Sequence, residues 1–139
     1  MNKVAVIYWS GTGNTEAMAS AAAEGAKAAG ADVSLLTCAE VSGVSSFDAV
    51  ALGCPAMGAE ELEDSEFLPM LEDIEPELPG KKVALFGSYG WGDGEWMRSW
   101  ESRCAEKGIV LAAASVMANE APDDDALTAC RALGAALAG

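Results

Sequence analysis

Val4-Ala5-Val6-Ile7-Tyr8-Trp9-Ser10-Gly11-Thr12-Gly13-Asn14-Thr15 decides the fold of this chain. The first six residues are a continuous apolar run of β-formers, the pattern of a strand buried on both faces rather than one. A polar glycine turn follows without a spacer. Thr15 to Ala29 then has helical composition, and Gly30 stands where a helix C-cap belongs. A doubly buried strand that turns directly into a helix is half of a βαβ unit.

The same alternation continues outward. Val33 to Thr37 and Ala49 to Gly53 read as the second and third strands. Asp64 to Ile74 reads as a helix that stops before Pro76, because a residue preceding proline is pushed out of the helical region. Lys82 to Phe86 is the fourth strand, Glu95 to Lys107 a helix closed by Gly108, and Ile109 to Met117 the fifth strand. Asp123-Asp124-Asp125 places negative charge at the start of a last helix running to Leu137. Strands separated by helices pair in parallel through right-handed crossovers. Five of them in one domain, residues 1–139, give an α/β fold, a three-layer α/β/α sandwich on a five-stranded parallel sheet.

Composition narrows the chemistry. The chain has 139 residues, 8 basic and 22 acidic, for a formal charge of −14. Such a surface is repelled by phosphate backbones and anionic headgroups, which argues against nucleic acid and membrane partners. There is no histidine, so Ser-His-Asp and Cys-His catalysis and imidazole metal ligation are excluded. Cys38, Cys54, Cys104 and Cys130 are too widely spaced for a CxxC motif and read as reduced thiols of a cytoplasmic protein. The N-terminal apolar run is too short for a signal peptide, and no stretch reaches the ~20 apolar residues of a membrane span.

In sheets of this kind ligands bind outside the carboxyl ends of the strands. Three segments leave those ends: Ser10 to Thr15, Pro55-Ala56-Met57-Gly58-Ala59-Glu60, and Ser88-Tyr89-Gly90-Trp91-Gly92-Asp93. The first holds three hydroxyls and an amide within six residues and runs into a helix, whose exposed N–H groups attract an anion. The plain alternative is a strand-to-helix turn with Thr15 as N-cap. No lysine follows the glycines, which removes a Walker loop, and Glu16 stands where a dinucleotide fingerprint needs its third glycine. Met57 alone, just after a strand, is more often core packing than a ligand contact. Trp91, flanked by Gly90 and Gly92, has little to bury it except a ligand face.

Tyr8-Trp9-Ser10-Gly11-Thr12-Gly13-Asn14-Thr15-Glu16 resembles the phosphate-loop signature of flavodoxins. Leu52-Gly53-Cys54-Pro55-Ala56-Met57-Gly58 and Gly87-Ser88-Tyr89-Gly90-Trp91-Gly92 resemble the flavin-enclosing loops of the short-chain flavodoxins of anaerobic bacteria. The resemblance implies strand order 2-1-3-4-5 and FMN as the cofactor. It implies binding by Ser10, Gly11, Thr12, Gly13, Asn14 and Thr15, by Pro55, Ala56, Met57, Gly58, Ala59 and Glu60, and by Ser88, Tyr89, Gly90, Trp91, Gly92 and Asp93. The phosphate falls to Ser10, Thr12, Asn14, Thr15 and Ser88. Pro55 departs from relatives with serine there and offers neither hydroxyl nor N–H. The isoalloxazine ring lies between Met57 and Trp91, and the Glu60 N–H and carboxylate meet its edge.

The resemblance further implies a low-potential one-electron carrier cycling between semiquinone and hydroquinone, with no substrate of its own. Gly58 is the turn residue whose carbonyl reaches flavin N5 after a peptide flip; a net ~1 kcal/mol hydrogen bond there moves a potential by about 40 mV. Ala59 replaces a polar residue of relatives. Between Ala28 and Gly80 there are 12 acidic residues and no basic one. Glu60, Glu61, Glu63, Asp64 and Glu66, with Asp93 and Glu120, crowd the flavin loop; each carboxylate ~10 Å from a hydroquinone anion costs roughly 1–2 kcal/mol. Trp96 and Trp100, one helical turn apart, read as core. Partners implied are redox proteins with basic docking faces, such as pyruvate:ferredoxin oxidoreductase, hydrogenase or a flavodoxin reductase, met by a monomer.

The alternative function is an FMN-dependent two-electron reductase of quinone-reductase type, which needs a substrate pocket over the ring. A receiver domain would need an acidic pair after the first strand, and a tyrosine phosphatase a Cys and Arg bracketing the first loop; neither set is present. Trp91→Ala is expected to weaken FMN binding and shift the potentials. Unchanged affinity and potentials, measured by flavin fluorescence and redox titration, would remove Trp91 from the site.

Overall fold

The computed structural model describes residues 2–58, 60–90 and 92–139. Strands β1 (Lys3–Tyr8), β2 (Asp32–Thr37), β3 (Ala49–Gly53), β4 (Lys82–Tyr89) and β5 (Val116–Asn119) form one parallel sheet in the order β2-β1-β3-β4-β5. Helices α1 (Asn14–Ala28), α2 (Phe67–Ile74), α3 (Glu95–Glu106) and α4 (Asp124–Ala138) supply the outer layers. The expected strand order and layering are those observed.

Alternation along the strands explains the two cores. Val4, Val6 and Tyr8 point to the face covered by α1 and α4, while Ala5 and Ile7 point to the face covered by α2 and α3. The second face is filled by large side chains, among them Leu52, Leu85, Phe67, Trp96 and Trp100. The first face is dominated by alanines, because α1 and α4 approach closely. A Cβ added to Gly25 would lie 1.9 Å from the Arg131 carbonyl oxygen, and one on Gly134 would lie 1.9 Å from that of Ala22. The two glycines are reciprocal notches. At the end of α1, Gly30 takes φ 98°, and the Gly30 and Ala31 N–H groups donate to the Lys27 and Ala26 carbonyls, closing a Schellman motif.

Three elements depart from the sequence reading. The fifth strand is not Ile109 to Met117. Leu111 makes only an isolated bridge to Val83, and pairing resumes with Val116 opposite Phe86. Five residues of the outer chain thus span three of β4, so two must bow outward, and the alanines there have little side chain to resist it. β4 is longer than expected and includes Ser88 and Tyr89, which pair with Ala118 and Asn119 rather than belonging to a loop.

The second helix begins at Phe67 instead of Asp64, because the buried Glu63 carboxylate accepts from the N–H groups of Ser65, Glu66 and Phe67 at 2.9, 2.7 and 2.7 Å. Pro69 sits in its first turn, where no intrahelical donor is lost. Pro76 lies in a 3-10 turn over Glu75–Glu77 that follows directly. The buried Glu75 in that turn takes a two-point hydrogen bond from Arg103 at 2.6 and 2.8 Å, tying it to α3.

Gly134→Ala is expected to destabilise the protein by about 1–3 kcal/mol, since the overpacking outweighs the ~1 kcal/mol gain in helix propensity. Thermal unfolding checks the sign. Burial pushes the Glu63 carboxyl upward, but three main-chain donors outweigh it and hold it below the ordinary carboxylate value. Its contribution is therefore present above that value and lost as pH falls through the lowered one. Glu63→Gln is expected to cost about 1–2 kcal/mol at pH 7. The difference from the parent shrinks below about pH 4; urea unfolding at pH 7 and pH 3 measures both.

Candidate cofactor site

The strand order reverses between β1 and β3, where connections leave to opposite faces, and a crevice opens at that point. A cavity of about 630 Å³ lies there, walled by residues after β1, β3 and β5 and at the end of β4. From the first connection come Trp9, Gly11, Thr12 and Asn14; from the second Pro55, Ala56 and Met57. Ser88, Tyr89 and Gly90 close a third side, and Glu120 with Ala121 a fourth.

The floor is a cradle of neutral donors. Gly13 occupies the N-cap of α1 at φ 93°, and no side chain caps the helix, so its first N–H groups are open to a ligand. Thr15 is therefore not the N-cap. It is buried inside the first turn with its hydroxyl 3.3 Å from that of Ser88, which is also buried. Ser10 Oγ accepts from the Gly13 N–H at 3.0 Å and holds the loop closed. Gly11 lets Trp9 pack close, since a Cβ would stand 3.0 Å from its ring. Among the described residues no carboxylate and no basic group lies in this loop before Glu16. Hydroxyls, an amide and a free helix N-terminus are the donor set of a phosphate cradle.

The upper wall is a tight turn. Met57 and Glu61 exchange both main-chain hydrogen bonds, at 2.8 and 2.9 Å, and Gly58 (φ 50°) and Glu60 (φ 56°) both adopt left-handed conformations between them. Met57 is 38% exposed, so the cavity and not the core receives its thioether. The Glu60 carboxylate reaches the N-terminus of α3, accepting from Gly94 and Glu95 at 3.2 and 3.1 Å. Gly92 makes room for it, because a Cβ there would fall 2.4 Å from the Glu60 carboxyl carbon. Ala59 and Trp91 lie outside the described residues.

The acidic residues divide by role. Glu63 caps α2, and Glu66 accepts from Trp9 Nε1 at 3.0 Å. Asp93 pairs with Arg98 at 3.0 Å. Glu60, Asp93 and Glu95 bring carboxylate oxygens within 4.8 Å of one another, and Glu120 stands in the wall itself. Glu120 takes φ 58° and donates its N–H to the Tyr89 carbonyl at 2.7 Å. Trp9 and Ala121 were not among the expected binding residues, and Glu120 was expected only as nearby charge; their positions just past the carboxyl ends of β1 and β5 were the available signal. Trp96 and Trp100 are buried as expected. All four cysteines are free and buried, and burial pushes the Cys54 thiol beside the site up to about 12.

Comparison with known proteins agrees with this geometry. The flavodoxin family model matches residues 6–134. The chain is 50% identical to a flavodoxin from Megasphaera elsdenii over 97% of its own length and 98% of the relative's. It is 47% identical to one from Clostridium beijerinckii, covering 86% and 88%. The solution structure of two-electron reduced Megasphaera elsdenii flavodoxin superimposes with a TM-score of 0.89, over 97% of this chain and 98% of that one. Fold, cradle and sequence converge: this chain belongs to the flavodoxin family of FMN-binding electron carriers.

Proposed function

We propose that residues 1–139 act as one FMN-binding unit that carries single electrons at low potential between redox proteins. The observation that supports it best is the cavity itself, where a cradle of uncharged donors faces a strained turn headed by Met57, within an acidic rim. The residues fit FMN: a phosphomonoester needs the hydroxyls and the open N–H groups of α1, and a flat ring needs polarizable walls such as Met57 and Trp9. FMN, when bound, supplies reversible one-electron chemistry.

Thr12, Asn14 and the α1 N-terminus hold the phosphate, with Ser10, Thr15 and Ser88 bracing them. The resemblance assigns Trp91 to the ring face opposite Met57. With FMN bound, the Gly58 carbonyl would be the acceptor for a proton on ring N5, and glycine takes the left-handed turn conformation observed here (φ 50°) without steric cost. Asp93 and Gly92 border the ring edge with Glu60. Negative charge at this edge disfavours an added electron, each carboxylate ~10 Å away by roughly 1–2 kcal/mol before screening. Several together lower the potential by on the order of 100 mV.

The same rim steers a monomer toward partners with basic faces, pyruvate:ferredoxin oxidoreductase, hydrogenase or a flavodoxin reductase among them. No helix among the described residues is long and apolar enough to cross a membrane.

Anaerobic reductive titration of the FMN-loaded protein tests the reading. The expected course is from yellow through a long-wavelength blue half-reduced species to the colourless form. Direct bleaching would replace the carrier by a two-electron reductase, and failure to bind FMN would overturn the site. A Cβ at Gly58 meets no protein atom within 4 Å, so within the polypeptide the cost of Gly58→Thr is that of its backbone conformation. It is expected to lower the yield of the blue species severalfold, at a cost of about 1 kcal/mol or more for a left-handed β-branched residue.

A further inference from the structure

Trp96 lies on α3 behind the cavity wall, yet its indole Nε1–H donates to the Cys54 carbonyl at 3.1 Å. Cys54 is where the chain leaves β3 for the Met57 turn. The next residue, Pro55, has no N–H, so the first main-chain donor beyond it is that of Ala56, which reaches the Ser88 carbonyl at 3.0 Å. The Cys54 carbonyl is thus the handle by which the start of the turn is held. Gly87 permits the grip: a Cβ there would fall 2.2 Å from that carbonyl oxygen and 3.2 Å from Trp96 Cζ2. The indole also tilts against Tyr89, a wall residue, with ring centroids 5.5 Å apart.

One helical turn along, Trp100 is buried to the same degree and packs edge-on against Phe67 at 5.5 Å. Its Nε1–H has no hydrogen-bond partner among the described residues. Two tryptophans on one helix therefore share burial and differ in one connection. We infer that Trp96 is a positioning residue: its indole N–H fixes where Cys54-Pro55-Ala56 leaves the sheet, and so sets Met57 against the cavity. The consequence for FMN affinity rests on the proposed function; the consequence for the main chain does not.

The test compares Trp96→Phe with Trp100→Phe, both in the FMN-loaded and the FMN-free protein, by amide hydrogen exchange and FMN affinity. In Trp96→Phe the Ala56 and Met57 amides are expected to exchange about five- to tenfold faster than in Trp100→Phe, and the FMN dissociation constant to rise by a similar factor. Equal exchange in the two variants overturns the inference. If the parent protein binds no FMN, the functional reading fails while the exchange comparison still decides this one. Should Trp96→Phe not fold, the parent protein decides. The Trp96 indole N–H and the Ala56 amide should then open together with the same urea dependence, and separate openings overturn the inference.

Discussion

Everything in this molecule depends on β1 being hydrogen-bonded on both edges and packed on both faces. It pairs with β2 on one side and β3 on the other, and Val4 through Ile7 have no exposed surface. A strand so enclosed leaves its chain one exit, at the carboxyl edge of the sheet. Because the connections from β1 and β3 must cover opposite faces, they part at that edge and leave a crevice. The cofactor site is thus a by-product of satisfying a central strand. Its chemistry is then supplied by what each exit carries: hydroxyls after β1, a glycine turn after β3, aromatic and small residues at the end of β4.

Charge follows the same polarity. Lys3 and Lys82 open strands, Lys27 lies in the last turn of α1, and Lys107 follows α3, so these cations gather at the amino edge of the sheet. Glu60, Asp93, Glu95 and Glu120 gather at the carboxyl edge. Helix dipoles favour that partition in each α-layer, with acids at helix starts and bases at helix ends. The local preference of each helix and the acidic rim at the carboxyl edge point the same way.

What was legible in the sequence was what short-range pattern encodes. The doubly apolar run of β1, the glycine after α1 and the Asp123 cap of α4, which accepts from the Ala126 N–H at 2.8 Å, all carry their signal within a few residues. β5 was misplaced because an alanine-rich outer strand has too little side-chain contrast to mark where pairing stops and restarts. The start of α2 was misplaced because an acidic run looks like a helix N-terminus, whereas Glu63 turns inward and postpones it. The site's internal wiring was not legible at all. Glu60 meets Gly94 across 34 positions and Trp96 meets Cys54 across 42, and no periodicity links such pairs. Resemblance named the loops but not what holds them at their heights.

The four buried thiols carry a consequence for how this protein survives its own trade. Cys54 and Cys130 are pushed up to about 12 and Cys104 to about 11, each chiefly by burial. Thiols raised this far stay protonated at neutral pH, and the thiolate is the species that attacks peroxides and disulfides. Oxidation of a cysteine needs both access and ionisation, and burial withholds the two together. By burying all four thiols this fold keeps its cysteines out of reach of solvent oxidants, while the Met57 thioether at the crevice stays exposed.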